Sequence, residues 1–126
     1  MKMVDIKIVN GYYNIFGYLP MEAAMHVANN WMLVGAKVEV GETVTDLNAA
    51  NLVELRIIGG RGRYISVYVA PKVAVVTAKR ITKAFDMEVM VSIGGKEYAR
   101  FDMQRGRPVV RRPASYKRVA LTLVAA

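Results

Sequence analysis

The sequence predicts an α+β fold: a mainly antiparallel bent sheet or open barrel built from hairpins, with one or two helices. Three observations carry that prediction. Strand-forming residues are abundant, with nineteen valines, seven tyrosines and three phenylalanines. Tight-turn dipeptides, Asn10-Gly11 and Gly94-Gly95, each divide two such stretches. The resulting order, β-β-α-β-β-β-(α)-β-β-β, is hairpin-rich and leaves room for at most two helices. A length of 126 residues suits one hydrophobic core, so the whole chain, 1–126, is read as a single globular domain.

Taken in order, residues 2–9 alternate, with Val4, Ile6 and Ile8 on one face and Met3, Asp5 and Lys7 on the other. Asn10-Gly11 turns the chain, and residues 12–18 return as a second strand. Pro20 opens a helix over 20–33, in which Met21, Ala24, Met25, Ala28 and Met32 recur at three- and four-residue spacing before Gly35. Residues 36–40 and 43–45, joined by Gly41-Glu42, form a short hairpin or a bulged ribbon, and 46–51 a turn or a single helical turn.

Two strands, 52–58 and 63–69, flank Gly59-Gly60-Arg61-Gly62. Pro71 offers a second helix start. A helical wheel over 71–85 gathers Lys72, Lys79, Arg80 and Lys83 opposite Val73, Ala74, Ala78, Ile81, Ala84 and Phe85. The β-branched Val75 and Val76 leave a strand over 72–77 as the alternative. Residues 87–93 and 96–103 pair through Gly94-Gly95. Residues 104–113 read as a basic connection, because Pro108 and Pro113 cannot donate to a central ladder. A last strand is expected over 115–124.

Composition narrows the function. With 54% apolar and 22% charged residues the chain is not a disordered one. No apolar run approaches the ~18 residues of a membrane helix, and Asp5 and Lys7 interrupt the start where a signal peptide is unbroken. A cytoplasmic, intracellular protein without a membrane partner is the expectation. The absence of cysteine excludes disulfides, a thiolate nucleophile and Cys-ligated metal.

His26 is the only histidine, with Glu22 at i−4 on the same helix face, and a lone pair of this kind is ordinary on a helix surface. The acids stand singly, and none of Ser66, Ser92 and Ser115 lies in a Gly-x-Ser-x-Gly turn. No catalytic, metal-ligating or cofactor-binding residue is assigned, and the protein is expected not to be an enzyme.

Charge is the most informative pattern. Residues 1–54 hold three basic and six acidic side chains, net −3; residues 55–126 hold fifteen basic and four acidic, net +11, giving +8 for the chain. Such a field attracts polyanions, because phosphates gain Coulomb energy and release counterions. Gly59-Gly60-Arg61-Gly62-Arg63 lacks the Gly-Lys-Ser/Thr ending of a phosphate loop and joins two strands. It is a hairpin tip that presents Arg61 and Arg63.

Beyond it Tyr64, Ser66 and Tyr68 share one face. If Gly60-Arg61-Gly62 is a three-residue loop, Ile58, Arg56 and Glu54 lie opposite them, an aromatic, arginine-bearing surface of the type on which unpaired bases stack. A loop one residue different puts Ile57, Leu55 and Val53 there and makes the face core. Arg105, Arg107, Arg111 and Arg112 form an arginine-rich segment suited to phosphates, or to pairing with Asp86, Glu88, Glu97 or Asp102.

The expected function is therefore sequence-independent nucleic-acid or other polyanion binding. Arg56, Arg61, Arg63, Lys79, Arg80, Lys83, Arg105, Arg107, Arg111 and Arg112 would hold phosphates, and Tyr64 and Tyr68 would stack. The rival is a homo-oligomeric structural protein whose basic half meets an acidic partner, consistent with a mean hydropathy of +0.22. The cysteine-free, glutamine-poor, valine- and tyrosine-rich composition resembles that of small orphan proteins of hyperthermophilic archaea and their viruses. What that resemblance implies is a protein carried in or assembling a virion, with no site residues.

Overall fold

The computed structural model describes residues 2–44 and 47–111. Its elements are β1 (Met3–Asn10), β2 (Tyr13–Pro20), α1 (Ala24–Leu33), β3 (Lys37–Val44), β4 (Val53–Ile58), β5 (Tyr64–Val69), α2 (Ala74–Phe85), β6 (Glu88–Ile93), β7 (Lys96–Gln104) and β8 (Arg107–Arg111). The strands form one open sheet in the order β3-β1-β2-β5-β4-β6-β7-β8, with every pair antiparallel. This is the α+β, hairpin-built architecture that the sequence predicts, with β3 and β8 as its edges among the described residues.

Short 3-10 turns at Met21–Ala23 and Pro71–Val73 lead into the helices from Pro20 and Pro71. Pro71 suits the first turn because its fixed φ is helical and its missing N–H is not needed there, whereas Pro20, at ψ 133°, ends β2 and stands just before the turn. The strand alternative over 72–77 gives way to α2, since Ala74, Thr77, Ala78 and Ile81 are buried at helical spacing. Asp86 ends the helix in a left-handed conformation, φ 52°, with its amide on the Thr82 carbonyl at 2.8 Å.

The expected hairpin is instead one edge strand, Lys37–Val44, as far as the described residues reach. Its register passes from Val4↔Thr43 to Ile6↔Val40, a bulge opposite Asp5. The expected connection at 104–113 is also corrected. Arg105 and Gly106 take φ of 52° and 81°, the positive pair that a two-residue hairpin turn requires, and Gln104 pairs with Arg107. Pro108 is accommodated because β8 is an edge strand. The strand expected over 115–124 lies outside the described residues.

One face of the sheet carries Ile6, Ile8, Leu55, Ile57, Val67, Val89 and Phe101 into the core, where Ala24 and Trp31 of α1 and Ala78 and Ile81 of α2 meet them. In α1 the packed face is Ala24, Ala28 and Trp31, whereas Met25 and Met32, and Met21 in the turn before it, are exposed. Val73, on the apolar arc of the second helical wheel, is exposed too. Two alanines and a tryptophan let α1 lie close to the sheet at one end and fill it at the other.

The sheet has a seam. β2 meets β5 through a single residue pair, Tyr18↔Tyr68, so β3-β1-β2 and β5-β4-β6-β7-β8 are two ladders joined at one point. Gly17 sits at that point. A Cβ there would lie 2.4 Å from Val67 Cγ2 and 3.0 Å from the Tyr68 carbonyl oxygen. Only glycine lets the two ladders approach this closely.

Candidate nucleic-acid interface

The β4–β5 register settles the conditional reading of the hairpin. Glu54 pairs with Tyr68, Arg56 with Ser66 and Ile58 with Tyr64, the arrangement that a Gly60–Gly62 loop requires. Alternation then puts Glu54, Arg56, Tyr64 and Tyr68 together on the face turned away from the helices. The Arg56 guanidinium lies 2.8 Å from Glu54 and 4.5 Å from the centre of the Tyr64 ring. Hydrogen bonding to Glu54 holds Arg56 charged above its ordinary range, against the opposing effect of its own burial. Tyr64 is 49% exposed and Tyr68 half-buried.

Burial raises the Tyr68 phenol above its ordinary value of 10.0, reinforced by the Glu54 carboxylate and opposed by Arg56. The folded state thus keeps this proton to higher pH than the unfolded chain does. The stabilisation is complete below the unfolded value of about 10 and is lost as pH rises through the folded one. Absorbance titration at 295 nm should show a late-forming tyrosinate that Tyr68→Phe removes. A variant titrating like the wild type would place the shifted group elsewhere.

The turn beyond this face is tight. The Gly59 amide donates to the Arg63 carbonyl at 2.8 Å and the Arg63 amide to the Gly60 carbonyl at 3.3 Å, while Arg61 takes φ 62°. Arg61 and Arg63 are exposed. β4 and β7 both pair antiparallel with β6, so they run the same way and their C-terminal turns emerge at one end of the sheet. Arg105 and Arg107, exposed on the β7–β8 turn, therefore stand at the same end as Arg61 and Arg63. Three strand spacings separate the two turns, about 14 Å. Among the described residues no carboxylate pairs with any of these four arginines.

The other basic residues go elsewhere. Lys79, Arg80 and Lys83 are exposed on α2, in the helical layer and so across the sheet from Tyr64, with Arg80 reaching the Asn14 carbonyl at 3.4 Å. Arg111 is held by Asp102 at 2.8 Å and Glu88 at 3.6 Å, and Arg100 by Glu88 at 2.5 Å and Glu97 at 2.7 Å. Of the two outcomes open to the arginine-rich segment, Arg111 takes the pairing with acids and Arg105 and Arg107 remain free of it. Arg112 lies outside the described residues. The twelve predicted residues thus do not make one continuous surface.

Two concavities open on the molecule, one beside the site and one at the far end of β5. A groove of about 470 Å³ runs between α1 and the β4–β5 turn, lined by His26, Asn30 and Leu33 on one side and Arg63, Tyr64, Ile57 and Met87 on the other. The His26 ring approaches Asn30 at 3.5 Å, not Glu22. A cleft of about 550 Å³ opens where β2 leaves β5, with Asp5, Lys7, Phe16, Tyr18 and Glu39 around it. The sequence had no signal for either, because each is assembled from segments that only the tertiary fold brings together.

Among the described residues no three His, Asp or Glu side chains gather as metal ligands, and no helix is long and apolar enough to cross a membrane. No protein-family model matches the chain, and neither a curated protein nor a solved structure matches it.

Proposed function

We propose that the protein binds single-stranded nucleic acid without sequence preference at the end of the sheet formed by the β4–β5 and β7–β8 turns. The observation that carries this reading is the convergence of four exposed arginines, free of acidic partners among the described residues, beside the half-exposed Tyr64. Arg61, Arg63, Arg105 and Arg107 contact phosphates, and Tyr64 with Arg56 against its ring provides a stacking surface for an unpaired base. Arg111, engaged with Asp102 and Glu88, holds the edge of the sheet and has no phosphate role. Lys79, Arg80 and Lys83 supply long-range attraction from the helical side.

The test is binding of labelled single- and double-stranded DNA and RNA across a salt series. Four phosphate contacts on a single strand give a slope of log affinity against log salt of about −3. Each Arg→Ala replacement at 61, 63, 105 or 107 should make the slope shallower by about 0.7. Absence of binding at low salt would sink this reading. The rival homo-oligomer is favoured by one observation: the edge strands are of opposite charge, with Glu39 and Glu42 on β3 and Arg107 and Arg111 on β8. Light scattering on the same samples tests it.

A further inference from the structure

We infer that the groove between α1 and the β4–β5 turn is a subsite for one nucleotide, continuous with the stacking surface of Tyr64; the inference rests on the nucleic-acid reading above. Tyr64 belongs to both places, lining the groove and standing on the sheet face over which Arg56 lies. A strand that reaches both passes round the end of the sheet at the β4–β5 turn, where Arg61 and Arg63 are exposed. The groove's volume of about 470 Å³ falls within the range of roughly 300–1,000 Å³ usual for small-ligand sites.

The chemistry of the walls selects the ligand. Ile57, Leu33 and Met87 supply apolar surface for the faces of a planar base. Asn30 and His26, one helical turn apart on α1, present an amide and an imidazole 3.5 Å from each other at the rim. Such groups pair with the donor and acceptor edge of a base, the amide with adenine in particular. Arg63 provides the cation for the attached phosphate.

No acidic residue lines this groove, whereas the cleft between β2 and β5 carries Asp5 and Glu39. With Lys7 opposed by those two carboxylates, the larger cleft is less suited to an anionic nucleotide than the smaller groove with Arg63.

The experiment uses the full chain and two probes, 5′-AMP and a fluorescent oligodeoxyadenylate of ten nucleotides. NMR of the side-chain signals of His26 and Asn30 should show both moving on titration with 5′-AMP at millimolar concentration. The double variant His26→Ala/Asn30→Leu should weaken decanucleotide binding about fivefold without changing its salt slope, because neither residue touches a phosphate. A second variant, Leu33→Trp, fills the groove without adding charge from an 84% exposed position and should abolish the 5′-AMP shifts while leaving the fold intact by circular dichroism.

The groove inference fails, and the wider reading stands, if the decanucleotide binds both variants as tightly as wild type while Tyr64→Ala and Arg61→Ala/Arg63→Ala weaken it. If the decanucleotide does not bind the wild type, the wider reading has failed and takes the groove with it. Shifts with 5′-AMP matched by shifts with inorganic phosphate alone would reduce the site to an anion contact at Arg63 and also overturn the inference.

Discussion

Trp31→Ala should lower the unfolding free energy by about 3–5 kcal/mol, the range of large-to-small changes at a fully buried aromatic. Trp31 has no exposed surface, packs its ring against Phe85 at 5.4 Å between centres, and donates from Nε1 to the Ser66 carbonyl at 3.2 Å. Its removal leaves a cavity between α1 and α2 and takes the donor from a part-buried carbonyl on β5, the strand that β2 meets at only one residue. Trp31→Phe retains most of the ring and separates the two contributions; losing the hydrogen bond and part of the volume should cost about 1–2 kcal/mol. Trp31 is the only tryptophan, so urea unfolding is followed by far-ultraviolet circular dichroism. A loss below about 1 kcal/mol for the alanine variant would show that the pocket collapses and that Trp31 is not the pin between the helices.

Two glycine substitutions should behave oppositely although both look impossible on distance alone. A Cβ at Gly17 would meet Val67 Cγ2 at 2.4 Å and the Tyr68 carbonyl oxygen at 3.0 Å. Val67 is fully buried and Tyr68 O is backbone, so nothing nearby can move without shifting a strand. Gly17→Ala should cost about 1–3 kcal/mol, the range for overpacking a filled interior. A Cβ at Gly41 would lie still closer, 1.9 Å from Asp5 Oδ1, but Asp5 is exposed and can turn its carboxylate into solvent. Gly41→Ala should change stability by less than about 0.5 kcal/mol. Guanidinium midpoints of the two variants decide the matter, and equal losses would refute the distinction.

Much of this architecture is legible in local sequence. The dipeptides Asn10-Gly11 and Gly94-Gly95, and the prolines at 20 and 71, act through local backbone preference, and each lies where the structure turns or starts a helix. The β7–β8 hairpin was not legible, because its turn forces a non-glycine residue, Arg105, into positive φ and its strand contains a proline tolerable only at an edge. Edge position is a tertiary property. Spacing likewise identified α1 but could not say which side faces inward, as methionine and alanine are equally apolar and only packing distance chooses the smaller.

The candidate site divides in the same way. The Tyr64–Tyr68 face was conditional on one residue of loop length, and the register resolves it. The ion pairing of Arg111 depends on Asp102 standing on the adjacent strand, which charge counting alone does not reveal. Neither concavity was foreseen, since one needs α1 packed beside the β4–β5 turn and the other needs β2 brought beside the end of β5, both tertiary placements.

The seam at Tyr18↔Tyr68 bears on how the chain reaches this state. Every strand pairing but that one lies within residues 3–44 or within residues 53–111, and the widest closures inside the ladders, Val9 to Lys37 and Ile58 to Glu88, are shorter than that from Tyr18 to Tyr68. The boundary between them falls almost where the net charge changes from −3 to +11. Two separately formed, oppositely charged halves would attract before they touch. The longest-range closure would then come last, as a docking step that makes the contacts of Asn10 with the Ala84 carbonyl, 2.7 Å, and of Trp31 with β5. The same division that suggests an affinity for polyanions in the folded protein would then serve first as the chain's own assembly code.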